Sequence, residues 1–160
     1  MAWLAGNRIA AQVMEQLGVA SDQRWLVVFD NKLAARLARD GLAVVFVSDD
    51  ERVCGRSTTT SMMLDKLLAS EDHSFDGAVV VGTGSRPERA NFVGKLIDWL
   101  AGAEVKRMIL IDRGQRTTAS KRALLAGLSR INQSVVSRVV ITTGDICRSI
   151  PGSTSKPSQP

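Results

Sequence analysis

The chain reads as a three-layer α/β domain: a doubly wound, mostly parallel sheet of about five or more strands with helices on both faces. Three observations predict it. Short apolar runs alternate with stretches of helical periodicity through most of the 160 residues, the pattern of strands joined by crossover helices. The runs end in acids or glycines, as strand tips facing a ligand edge do. One run, Gly77 to Gly82 within FDGAVVVGT, is almost continuously apolar, which suits a central strand covered on both faces.

A first helix is expected over Asn7 to Leu17, where Ile9, Val13 and Leu17 recur every four residues and Gly18 suits a C-terminal cap. Trp25 to Phe29 is the first strand and ends in Asp30. A short helix follows from Lys32 to Arg39, apolar at Leu33, Ala34, Leu37 and Ala38 and closed by Asp40-Gly41. Ala43 to Val47 is the second strand, with Asp49 and Asp50 beyond it. The polar stretch DDERVCGRSTTTS predicts a loop, then a helix from Ser61 to Ala69 with Leu64, Leu67 and Leu68 inward.

A charged turn, Ser70 to Ser74, precedes the Gly77–Gly82 strand. Pro87 suits the first turn of the next helix, whose wide apolar face is Phe92, Val93, Leu96, Ile97 and Leu100. Arg107 to Ile111 is the fourth strand, ending in Asp112. Thr117 to Ile131 reads as a helix with Leu124, Leu125 and Leu128 inside, and Arg138 to Thr143 as the fifth strand. The domain is expected to span residues 1–150, with 151–160 a flexible Pro/Ser-rich tail.

Composition narrows the function classes. Apolar residues make up 44% and charged residues 23%, ordinary for a globular domain that needs no metal or disulfide staple. Cys54 and Cys147 stand far apart and His73 is the one histidine, which disfavours a His/Cys metal centre and suits a reducing intracellular compartment such as the cytoplasm. No run approaches the ~20 apolar residues of a membrane span. Aromatics are 4% and tyrosine is absent, which argues against a base-stacking platform. The net charge is +5, and Glu104 to Arg148 carries nine Lys or Arg against three acids.

The candidate site follows from the topology. In such sheets ligands sit at the C-terminal strand ends, so the expected site residues are Asp30, Asp49, Asp50, Gly82 and Gly84. The turn after the first strand, Asp30-Asn31-Lys32, contains no glycine; a β-carbon and the long Lys32 side chain would crowd a ligand there. GTGSRPER has glycines between a strand and a helix, where amides with Arg86 or Arg89 suit a phosphate, although the GxxxxGK[ST] spacing is absent. STTTS offers hydroxyls without a base nearby in sequence. Arg113, Arg116, Lys121 and Arg122 cluster after the fourth strand and suit nucleic-acid phosphates or an acidic partner.

The strand RWLVVFD, the run LAARLARDG, the strand LAVVFVSDD and the later FDGAVVVGT and KLIDWLAGAEVKRMILIDRG together resemble class I S-adenosylmethionine-dependent methyltransferases over residues 8–145. The resemblance implies that Asp30 matches the acid closing the first strand, and that Asp49 or Asp50 matches the acid holding the cofactor's ribose hydroxyls, with S-adenosylmethionine as the implied cofactor. Two departures stand out. The glycine-rich cofactor turn is shortened and lacks glycine, and GTGSRPE lacks the Asn-Pro-Pro-Tyr type of catalytic signature. No catalytic or metal-binding residue is assigned. The expected function is a non-catalytic structural or interaction subunit of a protein assembly, touching RNA or an acidic partner. The alternatives are an active methyltransferase with an atypical cofactor loop, and a nucleotide-binding domain using GTGSRPE.

Overall fold

The computed structural model describes residues 2–17, 23–72, 74–82, 87–102, 105–136 and 138–146. Gly18, His73, Gly84, Cys147 and the 151–160 tail lie outside the described residues. The elements run α1 (Ala2–Leu17), β1 (Arg24–Val28), α2 (Asn31–Arg39), β2 (Ala43–Ser48), α3 (Glu51–Arg56), β3 (Thr60–Met63), α4 (Leu64–Ala69), β4 (Gly77–Val81), α5 (Pro87–Leu100), β5 (Lys106–Arg113), α6 (Arg116–Ala126), β6 (Leu128–Val136) and β7 (Val139–Ile146).

These strands form one sheet in the order β3-β2-β1-β4-β5-β7-β6. Strands β1 to β5 are mutually parallel, and β7 runs antiparallel between β5 and β6. The order reverses between β1 and β4, so the C-terminal tips of these strands flank the crevice where such folds bind ligands.

Alternating side chains send the central strands' apolar residues to both faces. On one face Leu26, Val28, Val47, Ala78 and Val80 pack under Leu67 of α4 and Phe92, Val93, Leu96 and Leu100 of α5. On the other, Trp25, Val27, Phe46, Val79 and Ile109 pack under Ile9, Ala10 and Val13 of α1 and Leu33, Ala34 and Leu37 of α2. The doubly wound expectation therefore holds.

Several elements differ from the sequence reading. The helix expected over Thr117–Ile131 stops at Ala126, because Gly127 adopts φ 109 and its N–H closes onto the last turn. Leu128 then opens an edge strand, and of the three leucines expected inside only Leu128 is buried. Leu124 and Leu125 are exposed, and α6 holds the sheet through Ala119 and Ala123. The last strand is longer than Arg138–Thr143 and runs antiparallel to both β5 and β6. The helix expected from Ser61 begins at Leu64, because Thr60–Met63 pairs with β2 instead, and a short α3 occupies part of the expected loop.

At the opposite, N-terminal edge of the sheet, the charged turn after α4 is tied to β1. The Arg24 guanidinium donates to Asp72 Oδ2 at 3.0 Å and Ser74 Oγ at 2.6 Å, and the Arg24 backbone N–H donates to Asp76 Oδ2 at 2.8 Å. The same guanidinium lies 4.3 Å from the centre of the Phe75 ring. Hydrogen bonds from Ser74 and then Arg24 hold the Asp72 carboxyl down at about 2. A carboxylate lowered in the folded state contributes stability above its unfolded value and loses it as pH falls through the folded one. An NMR titration should place the Asp72 midpoint near 2, and Arg24→Ala should raise it toward the ordinary carboxylate range; a midpoint unmoved by that change would remove Arg24 from the explanation.

Candidate functional site

The switch-point edge is built from the tips of β1, β2, β4 and β5. At β1 the regular alternation breaks at its last step. Phe29 follows Val28 and would continue toward α2, but its φ of 75 turns it to the other face. Its N–H still donates to Val47 O at 2.9 Å, so the break comes after the pairing with β2. A bulky residue in this conformation costs about 1–2 kcal/mol, and two contacts offset it. The Phe29 ring meets Phe92 of α5 edge-on, with centroids 5.9 Å apart at 66°. The Arg89 guanidinium lies over the same ring, 4.3 Å from its centroid. Such contacts contribute about 0.5–1.5 kcal/mol each.

Asp30 comes next and acts as the N-cap of α2: its carboxylate accepts from Leu33 N–H at 3.0 Å. A helix start needs such an acceptor because its first N–H groups lack partners. Lys32, expected to crowd the turn, is exposed on the first turn of α2; the side chain lodged at the tip of β1 is Phe29. Two polar atoms here are buried without a hydrogen-bond partner, Asn31 Oδ1 and Arg89 Nε.

At β2, Ser48 is buried and its Oγ accepts from Asp50 N–H at 3.0 Å. Asp50 caps α3 by accepting from Arg52 N–H at 2.9 Å. Asp49 projects from the exposed tip between them. Of the two acids, Asp49 is thus the one not engaged as a helix cap. Gly82 closes β4 with φ 76 and donates its N–H to Ile111 O at 2.8 Å. The positive φ explains why glycine follows this strand.

Nearby, Cys54 of α3 is half-buried and its thiol lies 3.6 Å from Met62 O. Burial pushes this thiol up, and the carboxylates of Asp50, Asp49 and Glu51 add to the rise. It is held protonated at neutral pH and is a poor nucleophile. Among the described residues no group of His, Cys, Asp or Glu is placed to hold a metal ion.

The basic cluster divides. Asp112 at the end of β5 is buried, and Arg122 of α6 lies 3.7 Å from its carboxylate, so Arg122 acts within the fold. Arg113, Arg116 and Lys121 are exposed. Arg116 opens α6, and its carbonyl accepts from Gln133 Nε2 at 2.9 Å, which fixes the helix start against β6. The sequence reading missed two contributors. Arg138 is exposed, with φ 69, in the β6–β7 turn, and its neighbour Val139 pairs with Arg113. Phe29 was also missed; the one available signal was an aromatic residue where the resembled family turns its backbone through glycine. Arg89, named for a phosphate at GTGSRPER, lies over the Phe29 ring.

Comparison with protein-family models and with curated proteins finds no match. Among solved structures the chain is similar to magnesium protoporphyrin IX methyltransferase from Synechocystis with bound SAM, at TM-score 0.64 and 15% identity over 91% of this chain and 81% of that one. It is similar to a SAM-dependent methyltransferase from Archaeoglobus fulgidus, at TM-score 0.64 and 7% identity over 88% of this chain and 94% of that one. A third is 1,6-didemethyltoxoflavin-N1-methyltransferase from Burkholderia thailandensis with S-adenosylhomocysteine, at TM-score 0.63 and 13% identity over 88% and 77%. The chain therefore has the class I methyltransferase fold. No described helix is long and apolar enough to cross a membrane.

Proposed function

We propose that this methyltransferase-fold chain works by binding another macromolecule, within a protein assembly or on RNA, and does not transfer methyl groups. The observation that carries the reading is Phe29. At the tip of β1, where the resembled family brings its backbone close to the cofactor, this chain places an aromatic ring braced by Phe92 and Arg89. Backbone approach needs the space that glycine leaves, and an aromatic ring at this tip supports the reading that the approach is not made. Asp30 and Asp50, two of the three acids that could meet a cofactor, are used as helix caps. The exposed Arg113, Arg116 and Lys121 are the natural contacts for phosphate or carboxylate groups.

One observation favours the second reading, an active enzyme with an atypical loop. Asp49 remains exposed at the tip of β2, and a carboxylate there can accept two ribose hydroxyl hydrogen bonds. Calorimetric titration of the full chain with S-adenosylmethionine and S-adenosylhomocysteine separates the readings. The expected result is no binding at millimolar ligand. Micromolar binding of S-adenosylhomocysteine that disappears in Asp49→Ala would overturn the proposal.

A further inference from the structure

We propose that the outward face of α6 is the docking surface for an acidic protein segment that also carries apolar side chains, an inference that rests on the binding role proposed above. Helix α6 turns Ala119 and Ala123 to the sheet. A rotation of about 100° per residue then gathers Thr117, Lys121, Leu124 and Leu125 on the opposite side. Leu124 is 60% exposed and Leu125 89%. A helix with this much leucine would ordinarily spend it on the core; here the smallest apolar residue makes the core contact and the largest face outward.

The charge around this face selects the partner. Arg116 and Lys121 are exposed on α6, and Arg113 is exposed two residues before the helix cap. Between residues 105 and 146 the acids are Asp112 and Asp145. Both lie in ion pairs, with Arg122 at 3.7 Å and Arg130 at 3.8 Å. The exposed charged side chains of α6 itself are Arg116 and Lys121, and its exposed leucines, Leu124 and Leu125, follow them toward its end. A complementary segment has carboxylates at one end and apolar side chains at the other, spaced over the ~16 Å length of this helix.

Other occupants fit less well. Nucleic acid would use the cations but set phosphates against the two leucines, and no aromatic side chain is among the large exposed apolar residues described. A second copy meeting this face by two-fold symmetry would bring Lys121 toward its own equivalent. A lipid surface would gain little from two leucines, since stable anchoring takes far more buried apolar surface.

Fluorescence anisotropy of the full chain tests the proposal. The probe is a labelled helical peptide about four turns long, with Glu in its first half and a Leu face in its second. The comparison probes are the same peptide with Lys for Glu, a single-stranded oligouridine, and phosphatidylserine vesicles. The expected result is saturable binding of the Glu/Leu peptide. It should weaken about tenfold in Leu124→Ser/Leu125→Ser and about fivefold in Lys121→Glu, and weaken with added salt. Both variants alter exposed side chains, and unchanged circular dichroism confirms their fold. Equal binding of the Lys peptide, tighter binding of oligouridine or vesicles, or indifference to both variants would overturn the proposal. The titration with S-adenosylhomocysteine is read separately: cofactor binding together with peptide binding overturns the non-catalytic reading and leaves the docking surface standing.

Discussion

Gly77→Ala is expected to remove more than about 4 kcal/mol of stability, enough to leave little folded protein. Gly77 opens β4 at the centre of the sheet, between Trp25 of β1 and Arg107 of β5. A β-carbon there would collide with the Arg107 carbonyl oxygen and lie 2.6 and 2.7 Å from the Trp25 ring carbons Cζ3 and Cη2. The ring cannot retreat easily, because Trp25 is only 1% exposed. The carbonyl belongs to the backbone of the neighbouring strand, so relief requires moving β5 itself. Urea unfolding followed by fluorescence measures the loss; a variant within about 1 kcal/mol of the parent would show that the sheet accommodates the methyl group, contrary to this packing.

The same neighbourhood shows what could be read from the chain. Four parallel strands were legible because each is a short apolar run that satisfies both faces of the sheet, and Trp25–Phe29 and Gly77–Gly82 differ from the observed β1 and β4 by a residue. The edge strands were not. Thr60–Met63 is too short and polar to stand out, and its pairing with β2 is a tertiary fact. Leu124, Leu125 and Leu128 sit at helical spacing, so periodicity assigns all three to one buried stripe. Gly127 ends that helix in a left-handed turn and sends Leu128 into a strand.

The candidate site was legible in position and not in detail. Topology alone put Asp30, Asp49 and Asp50 at strand tips, and the structure places them there. Capping by Asp30 and Asp50 depends on where α2 and α3 begin, and the helix at 51–56 was not anticipated. The turn of Phe29 was hidden for a different reason. Strand alternation assigns its side chain to the α2 face, and only the contacts with Phe92 and Arg89 reward the reversal. The absence of glycine in the turn could be seen; the ring that fills the space could not.

Trp25→Ala is expected to cost about 4 kcal/mol, as a truncated core tryptophan does. Trp25 is among the largest fully buried side chains and belongs to the cluster that joins β1 to α1 and α2. Its indole also covers the bare backbone at Gly77, so truncation opens a cavity bounded by β4 on one side and the α1–α2 layer on the other. The Trp25 Nε1–H bond to Gln23 at 3.3 Å is local and adds little. The measurable signature lies in the coupling. In the double variant Trp25→Ala/Gly77→Ala the ring that obstructs the new methyl group is gone, while the Arg107 carbonyl still obstructs it. The combined loss should therefore fall short of the sum of the single losses by about 1 kcal/mol or more, because contacting residues are not additive. Strict additivity in a urea-unfolding cycle would mean that the indole and Gly77 do not share the space assigned to them. It would also mean that the carbonyl alone forbids a side chain at this point of the sheet.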